Sequence, residues 1–372
     1  ERRNTAGKKV AAIISKFDIE VIAIGNGTAS RETEQFISNV IKFIKGTIDK
    51  DIYFIIVNEA GASVYSASKL AAKEFPDLVV EERSAVSIAR RLQDPLSELV
   101  KIDPKSIGVG QYQHDVTQKK LSESLDFVVE TAVNQVGVNV NTASEALLQF
   151  VAGLNKTIAS NIVTYRETNG PFKNRKELLK VPKLGAKAYE QSAGFLRILN
   201  GENPFDKTGI HPESYELAES LMKELALNED DLGNIILKLK FKDLNLNNIA
   251  KKLDAGVNTI EDILEDFITP LRDPRDKAVA PILRSDVLKL EDLKLGMELR
   301  GTVRNVVDFG AFVDVGVKDD GLVHISQLSN GYVKHPLDVV SVGEIVTAWV
   351  KEIDLKRHRL QLTMIKENAP HS

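Results

Sequence analysis

The sequence predicts a multidomain chain of α/β, helical and β architecture: an α/β segment, then helical domains, then a small five-stranded barrel. Two apolar runs, at residues 19–24 (interrupted by Glu20) and 52–57, have the length of buried strands, and a helical pattern separates them. Helices and short Gly-containing turns follow, and the last part of the chain alternates β-forming with polar residues. A length of 372 residues with 43% hydrophobic residues suits about two to four domains, each with its own core.

The α/β segment, residues 1–105, is predicted from the order of its strands and helices. Helical patterns at 31–43 and 66–75 follow the apolar runs, and this alternation predicts parallel strands that are buried on both faces. Glu59 stands two residues after the end of the second run and is the candidate catalytic carboxylate of the segment. A helix cap or an ion pair is its alternative role.

The helical segment at residues 106–200 contains two predicted helix–turn–helix units. Residues 134–200 carry nine Lys and Arg against four Asp and Glu, a local charge of +5 in a chain whose net charge is −4. The predicted helices are 143–152, capped by Thr142 with Glu145 in a capping box, then 156–168, 175–180 and 186–199. Ordinary helical hairpins with solvated lysines are the alternative interpretation.

The turns of the two units are the candidate binding elements. A phosphate that approaches the main-chain N–H groups of a helix N-terminus needs a turn without bulky side chains, and nearby cations favour it. The residues that fit this description are Gly153, Asn155, Lys156, Lys183, Gly185 and Lys187. Asn155 stands where a second glycine would be expected, and asparagine tolerates the left-handed conformation.

Residues 201–285 are acidic and predicted to be helical, with an amphipathic helix at 212–227 and a Pro-rich charged strap at 270–276. No basic residue lies in the predicted turns, so a packing scaffold is favoured over a degenerate binding hairpin. We therefore expect a second helical domain followed by a linker.

Residues 286–368 predict a five-stranded antiparallel barrel of the OB type with aromatic side chains on one face. Phe312 lies in a predicted strand, Phe309 stands directly before that strand, and His324 ends the next one. Rings on such a face stack unpaired bases, at about 1–3 kcal/mol per base. The alternative is that Phe312 fills the barrel core and His324 caps a strand.

The barrel strings resemble the S1 domain, the RNA-binding member of the OB group. They read Val-Asp-Phe-Gly-Ala-Phe-Val-Asp-Val at 307–315 and Asp-Gly-Leu-Val-His-Ile-Ser at 320–326, and the resemblance covers about 292–366. It implies a stacking set of Phe309, Phe312 and His324 and a polar pair of Asp354 and Arg359. The turn within that pair is one residue longer than in many S1 domains, so Arg357 or His358 is an alternative cation.

Two further resemblances cover the rest of the chain. The tandem units resemble helix-hairpin-helix domains, which bind the DNA backbone without reading its sequence. The whole order is similar to the C-terminal half of the Tex transcription accessory proteins, and the strings at 24–34, 85–95 and 108–116 carry this resemblance together with the barrel strings. The resemblance implies that the α/β segment is part of an RNase-H-like (YqgF) domain and that this chain begins after the first strands of that domain.

Composition excludes several kinds of site. The chain has no cysteine, which excludes disulfides, zinc ribbons, iron–sulfur clusters and a thiol nucleophile. Its six histidines are scattered without metal-ligand spacing, so we expect neither a metal nor a cofactor. No apolar run is long enough to span a membrane, and the first residues, Glu1-Arg2-Arg3-Asn4, resemble neither a signal peptide nor a Met start, so we expect a cytoplasmic chain that is truncated at its N-terminus.

Together these features predict a transcription accessory protein that binds nucleic acid and is not an enzyme. RNA or single-stranded nucleic acid would bind the barrel, and the single-stranded or duplex DNA backbone would bind the hairpin turns. RNA polymerase or a ribosome-associated transcription complex is the candidate protein partner. The alternatives are a protein-docking scaffold that uses the acidic helices, and a metal-dependent RNase-H-like nuclease in which Asp115 or Asp126 would join Glu59. Because the strand that would supply the first carboxylate is absent, we expect no nuclease activity.

Overall fold

The computed structural model describes residues 2–48, 50–234, 236–242, 244–271, 273, 282–285, 290–317, 319–355 and 357–366. The strands are β1 Val21–Gly25, β2 Tyr53–Val57, β3 Val138–Asn139, β4 Leu196–Arg197, β5 Glu298–Val307, β6 Gly310–Asp314, β7 Gly321–His324, β8 Ile345–Asp354 and β9 Arg359–Thr363. The α-helices are α1 Arg2–Lys16, α2 Ser30–Ile44, α3 Ala62–Ser66, α4 Lys69–Glu74, α5 Val80–Gln93, α6 Pro95–Leu99, α7 Pro104–Ile107, α8 Gln118–Val136, α9 Glu145–Leu148, α10 Lys156–Asn169, α11 Ala186–Ser192, α12 Tyr215–Glu224, α13 Leu237–Lys242, α14 Leu246–Lys252 and α15 Val257–Ile268.

The first of two compact units combines Glu1–Glu59 with Val279–Ser372, and its N-terminal part is an α/β layer. Strands β1 and β2 pair in parallel, with Val21 opposite Tyr53, as the sequence predicted. Apolar residues of α1 and α2 pack with Ile24 and Phe54 in one core. Parallel pairing follows from the intervening helix, because a crossover returns the chain to the same end of the sheet.

The C-terminal part of the first unit is a closed barrel with the strand order β5-β6-β7-β9-β8. Alternate residues of each strand point inward, and the core includes Val303, Val313, Val323 and Leu362. The expected five strands are present, but the prediction that all of them are antiparallel was wrong, because β7 and β9 pair in parallel. A closed sheet with an odd number of strands must contain at least one parallel pair.

A buried ion cluster centred on Asp314 lies at the end of β6. The carboxylate of Asp314 accepts hydrogen bonds from Arg284 (3.1 Å), Arg304 (2.6 Å) and the backbone N–H of Gly316 (2.9 Å). Burial by itself would raise the pKa of Asp314, but these three donors outweigh burial, and the pKa lies below its ordinary value. The carboxylate therefore remains charged inside the unit.

Arg284 also connects the barrel to the α/β layer. Its backbone exchanges two hydrogen bonds with Phe54 of β2, at 2.6 and 2.9 Å. Its guanidinium lies 3.9 Å from Glu34 of α2, whose pKa is raised, chiefly by burial. The two carboxyl groups thus share one cation but have pKa shifts of opposite direction.

We expect Asp314→Asn to lower the free energy of unfolding by about 1.5–3 kcal/mol at pH 7, because the charge-assisted bonds are lost and the shape is kept. A carboxyl group with a lowered folded-state pKa stabilises the fold above its unfolded pKa and loses that contribution as the pH falls through the folded value. The difference between variant and parent should therefore shrink below about pH 4. Urea unfolding at neutral and acidic pH measures it.

Glu34→Gln is the control for this prediction, since the raised pKa of Glu34 reverses the sign. Its carboxyl group contributes stability below its unfolded pKa and loses that contribution as the pH rises through the folded pKa. At pH 7 the glutamine should therefore cost less than the Asp314 substitution. An equal cost for Asp314→Asn at both pH values would contradict the assignment.

The second unit, Ala60–Ala278, contains the predicted helix–turn–helix pairs in one core. Helix α10 is found as predicted, and the short helix at 175–180 is a 3₁₀ helix. The first helix was predicted too long: α9 has only four residues, and Ser144 rather than Thr142 caps it, accepting from the N–H of Leu147 at 3.2 Å. The last helix, predicted at 186–199, was also predicted too long. Helix α11 ends at Ser192, and the chain then forms β4, which pairs with β3.

A buried arginine links the two helical parts of this unit. The guanidinium of Arg175, only 1% exposed, donates to the carbonyl oxygens of Leu196 (2.7 Å), Thr208 (2.6 Å) and Ile210 (2.7 Å). It also donates to the hydroxyl of Tyr215 at 2.7 Å. The hydroxyl of Tyr215 and the backbone N–H of Arg175 both donate to the buried carboxylate of Asp206, at 2.6 and 3.0 Å.

Beyond this network, α12 to α15 pack around a core that includes Leu221, Ile260 and Phe267. The helix predicted at 212–227 is a 3₁₀ turn, Pro212–Ser214, that continues into α12. Of the predicted strap, Arg272 and residues 274–276 lie outside the described residues.

Candidate nucleic-acid interface

Two phenylalanine rings lie together at one end of the barrel. Phe309 occupies the turn between β5 and β6 and is 51% exposed. Strand alternation buries Ala311 and Val313 in the core and turns Phe312, which is half-buried, to the outer face. The two ring centroids are 6.2 Å apart in an edge-to-face arrangement.

His324 lies beside these rings, because it pairs with Gly310 across β6 and β7. The next residue, Ile325, donates its N–H to the carbonyl oxygen of Phe309 at 2.8 Å. The Nδ1 atom of His324 accepts from the N–H of Ser326 at 3.3 Å, so the ring caps the 3₁₀ helix Ile325–Gln327 and is also exposed. Phe309, Phe312 and His324 form what we call the aromatic cluster.

The polar pair lies on the neighbouring strands. Asp354 of β8 is directly opposite Arg359 of β9. In the turn between them, Arg357 donates its backbone N–H to the carboxylate of Asp354 at 3.0 Å, and its side chain lies 4.0 Å from that carboxylate. His358 adopts a left-handed conformation, φ 50°, which accommodates the longer turn. Arg357 and Arg359 are both exposed.

Register places the polar pair at the opposite end of the outer face from the aromatic cluster. Leu322 of β7 is opposite Gln361 of β9 in a parallel pair, so Arg359 lies where β7 begins and His324 where it ends. Four residues of strand separate the two levels, which is about 13 Å. A ligand that contacts both must be extended and must run along these strands.

The barrel has no net charge to attract phosphates. Residues 292–366 contain ten Lys and Arg and ten Asp and Glu. Long-range attraction of a polyanion is therefore weak here, and contacts with rings and individual cations must dominate.

The residues that adopt the left-handed backbone conformation in the two hairpin turns are not all the ones that were predicted. Gly153 does so in the first turn (φ 82°), and Lys183 does so in the second (φ 66°). A Cβ on Gly153 would lie 2.7 Å from the Cβ of Gln191, so close packing also requires this glycine. The prediction that Asn155 adopts the left-handed conformation was wrong. Its backbone is extended, and its side chain caps α10 by accepting from the N–H of Ile158 at 3.0 Å.

Gly185 occupies in the second turn the place that Asn155 has in the first. It is the extended N-cap of α11, and a Cβ there would meet nothing within 4 Å. Each turn therefore keeps one of two glycines, at opposite positions. If Gly153-Leu154-Asn155 is aligned with Lys183-Leu184-Gly185, Lys183 occupies the position of Gly153. This alignment would have identified Lys183 as the left-handed residue from the sequence.

Each hairpin turn packs against the other helical unit, since Asn161 of α10 donates to the carbonyl oxygen of Pro182 at 2.8 Å and Gly153 lies against Gln191 of α11. Lys156, Lys183 and Lys187, which we call the turn lysines, are all exposed. The first N–H groups of α10 have no intrahelical acceptor, as at any helix start. Cations and outward N–H groups are thus combined in one place.

The local charge of +5 overstates the surface charge. Arg175 is fully buried, and Arg166 donates to the carbonyl oxygen of Val140 at 2.7 Å inside the domain. Arg197 is half-buried against β3. The exposed cations of this segment are lysines: Lys156, Lys173, Lys176, Lys180, Lys183 and Lys187.

Glu59 follows β2 and faces the turn after β1. Its N–H donates to the side-chain oxygen of Asn26 at 3.0 Å, and its carboxylate lies where a Cβ on Gly27 would be. Asp115 and Asp126 are exposed. Among the described residues, no three His, Asp or Glu side chains are grouped so that they could hold a metal ion. In the same part of the chain no helix is long and apolar enough to cross a membrane.

Four family models match the chain. The Tex protein YqgF-like domain matches residues 1–93, and the helix-hairpin-helix motif matches 133–197. An HHH domain matches residues 203–275, and the S1 RNA binding domain matches 292–365.

Similar proteins occur in bacteria and in humans. YdcI of Bacillus subtilis is 64% identical over 97% of this chain and 50% of its own length. The transcriptional accessory protein Tex of Neisseria gonorrhoeae is 50% identical over 97% of this chain and 47% of its own length. Human S1 RNA-binding domain-containing protein 1 is 37% identical over 96% of this chain and 42% of its own length. The chain thus spans about half the length of the curated relatives it matches.

Proposed function

The chain belongs to the Tex family of transcription accessory proteins, and on that premise we propose that it binds nucleic acid without sequence preference through two separate surfaces. The aromatic cluster stacks the bases of RNA or single-stranded DNA, and the polar pair and Arg357 contact the same strand. The turn lysines and hairpin turns bind the phosphate backbone of DNA. In this proposal the protein acts in the cytoplasm, at the transcription machinery.

The exposed pair of rings at the end of the barrel carries the proposal. Phe309 is 51% exposed beside a second ring, so about half of its apolar surface remains in contact with water. A stacked base would cover that surface and gain the free energy of burying it. Because the barrel has no net charge, it favours binding of a strand through its bases. The exposed lysines of the second unit favour binding of a strand through its phosphates.

The test is a titration of the full chain against RNA, single-stranded DNA and duplex DNA of matched length at two salt concentrations. Single strands should lose less affinity with added salt than duplex DNA does, because the neutral barrel makes few phosphate contacts and stacking contributes more of the affinity. Duplex binding should fall steeply. Equal salt dependence for all three ligands would contradict two separate surfaces.

The turn lysines give a more specific prediction. We expect Lys156→Gln, Lys183→Gln and Lys187→Gln each to lower the slope of log K against log salt for duplex DNA by about 0.9, the value for one lost phosphate contact. Affinity for single strands on the barrel should not change. Filter binding or fluorescence anisotropy over a salt series measures the slopes.

Lys173→Gln is the matched control, because Lys173 is exposed in the same domain but lies outside both turns. It should leave the slope unchanged. An equal change for Lys173 would indicate a general basic surface rather than a site at the turns.

We further propose that the chain is not a nuclease. Glu59 has no grouped carboxylates around it among the described residues, and a two-metal site needs several. Labelled RNA and DNA incubated with Mg²⁺ or Mn²⁺ should remain intact. Cleavage that Glu59→Gln abolishes would overturn this proposal.

A further inference from the structure

The outer face of the barrel carries a carboxylate that the binding described above does not use. One row of paired residues crosses four neighbouring strands, and it consists of Phe312, Leu322, Gln361 and Glu352. Their neighbours along each strand include residues of the barrel core, so strand alternation turns the row outward. Glu352 of β8 is exposed and therefore lies on the same outer face as Phe312.

Within the described part of the chain, no cation neutralises Glu352, and its carboxylate accepts no hydrogen bond there. Asp354, the next outward residue of β8, differs in this respect. The backbone N–H of Arg357 donates to the carboxylate of Asp354 at 3.0 Å, and the side chain of Arg357 lies 4.0 Å from it. Because a free carboxylate repels phosphate groups, the sugar–phosphate chain of a bound strand must stay away from Glu352.

The edge of a base is the part of a strand that this carboxylate can accommodate. An ionised carboxylate accepts hydrogen bonds and donates none, so it needs an N–H donor and is repelled by a carbonyl oxygen. Adenine, cytosine and guanine carry an exocyclic amino group, and acidic side chains accept from the amino group of cytosine in known complexes. Uracil and thymine carry carbonyl oxygens on both sides of their single N–H group. The carboxylate therefore distinguishes two classes of base.

The spacing of the strands permits this contact for a base that covers Leu322. Leu322 is half-buried and directly opposite Phe312, so it continues the apolar surface on which a base can lie. Glu352 is two strands away from Leu322, which is about 10 Å across the sheet. A glutamate side chain followed by one hydrogen bond spans about 6–7 Å of that distance. The base itself spans the remainder.

We propose that Glu352 selects the base that is bound beside Phe312, favouring bases with an exocyclic amino group over uracil and thymine. The inference rests on the proposed binding of single strands by the barrel. It adds a preference for a class of base at one nucleotide, and such a modest preference is compatible with binding strands of any overall sequence. The carboxylate attracts the amino group of a favoured base and repels the carbonyl oxygens of a disfavoured one.

Titration of the full chain with labelled oligocytidylate and oligouridylate of equal length tests the proposal. The two ligands have the same sugars and phosphates and pyrimidine rings of the same size, so phosphate contacts at any surface are equal for both. Oligocytidylate should bind about fivefold more tightly at fixed salt. Equal affinities would overturn the selection by Glu352 and leave the proposed function of the barrel standing. No binding of either oligonucleotide would overturn both.

Glu352→Gln tests the residue itself. The amide keeps the size of the side chain, but it can donate to a carbonyl oxygen of uracil as well as accept from cytosine. The ratio of the two affinities should therefore fall from about fivefold to about one. Removing a repulsive charge would by itself raise both affinities by the same factor and leave the ratio unchanged. An unchanged ratio in the variant, shown to be folded by thermal unfolding, would contradict the proposal.

Asp338→Asn is the matched control. Asp338 is an exposed carboxylate of the same barrel, but it lies in the 3₁₀ helix Pro336–Asp338 and not in the row of outward strand residues. Its substitution removes the same charge from the barrel and should leave the ratio of the two affinities at its parental value. If Asp338→Asn lowered the ratio as much as Glu352→Gln, the preference would reflect the overall charge of the barrel, and the assignment to Glu352 would be wrong.

Discussion

Phe312→Ala is expected to weaken binding of single-stranded RNA by about 1–3 kcal/mol, or roughly 5- to 150-fold, because one stacked base is lost. Phe309→Ala should have an effect of the same order, and the double variant a larger one. Affinity for duplex DNA should not change, since the hairpin turns are in the other unit. Fluorescence anisotropy with a labelled single strand measures the loss at fixed salt.

Phe43→Ala is the matched control for this prediction. Phe43 is 74% exposed on α2, in the same unit but outside the barrel, so its loss removes a comparable exposed ring. It should leave RNA affinity unchanged. If Phe43→Ala weakened binding as much as Phe312→Ala, or if Phe312→Ala had no effect, the aromatic cluster would not be the stacking site.

Arg175→Met is expected to lower the free energy of unfolding of the second unit by about 3–5 kcal/mol, because several buried acceptors lose their donor and each unsatisfied buried group costs about 1–3 kcal/mol. Methionine has a similar length but donates no hydrogen bond. The carbonyl oxygens of Leu196, Thr208 and Ile210 and the hydroxyl of Tyr215 would lose their donor. Urea unfolding followed by circular dichroism measures the change.

Lys176→Met provides the comparison, because it is the adjacent residue and is exposed. A surface substitution of this kind should change the stability by no more than about 0.5 kcal/mol. Arg175→Lys, which keeps the charge but not the fork of donors, should lie between the two. A loss below about 1 kcal/mol for Arg175→Met would mean that the network contributes little beyond packing.

The sequence predicted the local structure around the aromatic cluster well. Alternation in β6 fixes which residues face the core, so the outward position of Phe312 follows from the apolar Ala311 and Val313 on either side. The turn residues before Lys156 also identified the start of α10 correctly. Such features depend on neighbours in the chain, and their periodicity is visible in the sequence.

The helix ends were predicted less well. Thr142 and Ser144 are both acceptable caps, and only the structure shows that Ser144 bonds the N–H of Leu147. Helix α11 stops at Ser192 because the following residues pair with β3, which lies more than fifty residues earlier. A pairing at that distance has no local signal.

The sequence by itself determined the order of the domains, the parallel strands of the α/β layer, the five strands of the barrel and the outward face of β6. Only the tertiary structure decided which charges are surface and which are internal. The residues next to Arg175 in the sequence do not distinguish it from a surface arginine. The groups that accept hydrogen bonds from its side chain lie 21 to 40 residues away in the chain. Long-range contacts likewise closed the barrel with a parallel pair. Periodicity encodes which face of an element is apolar, whereas the partners of a buried polar group depend on how distant segments meet.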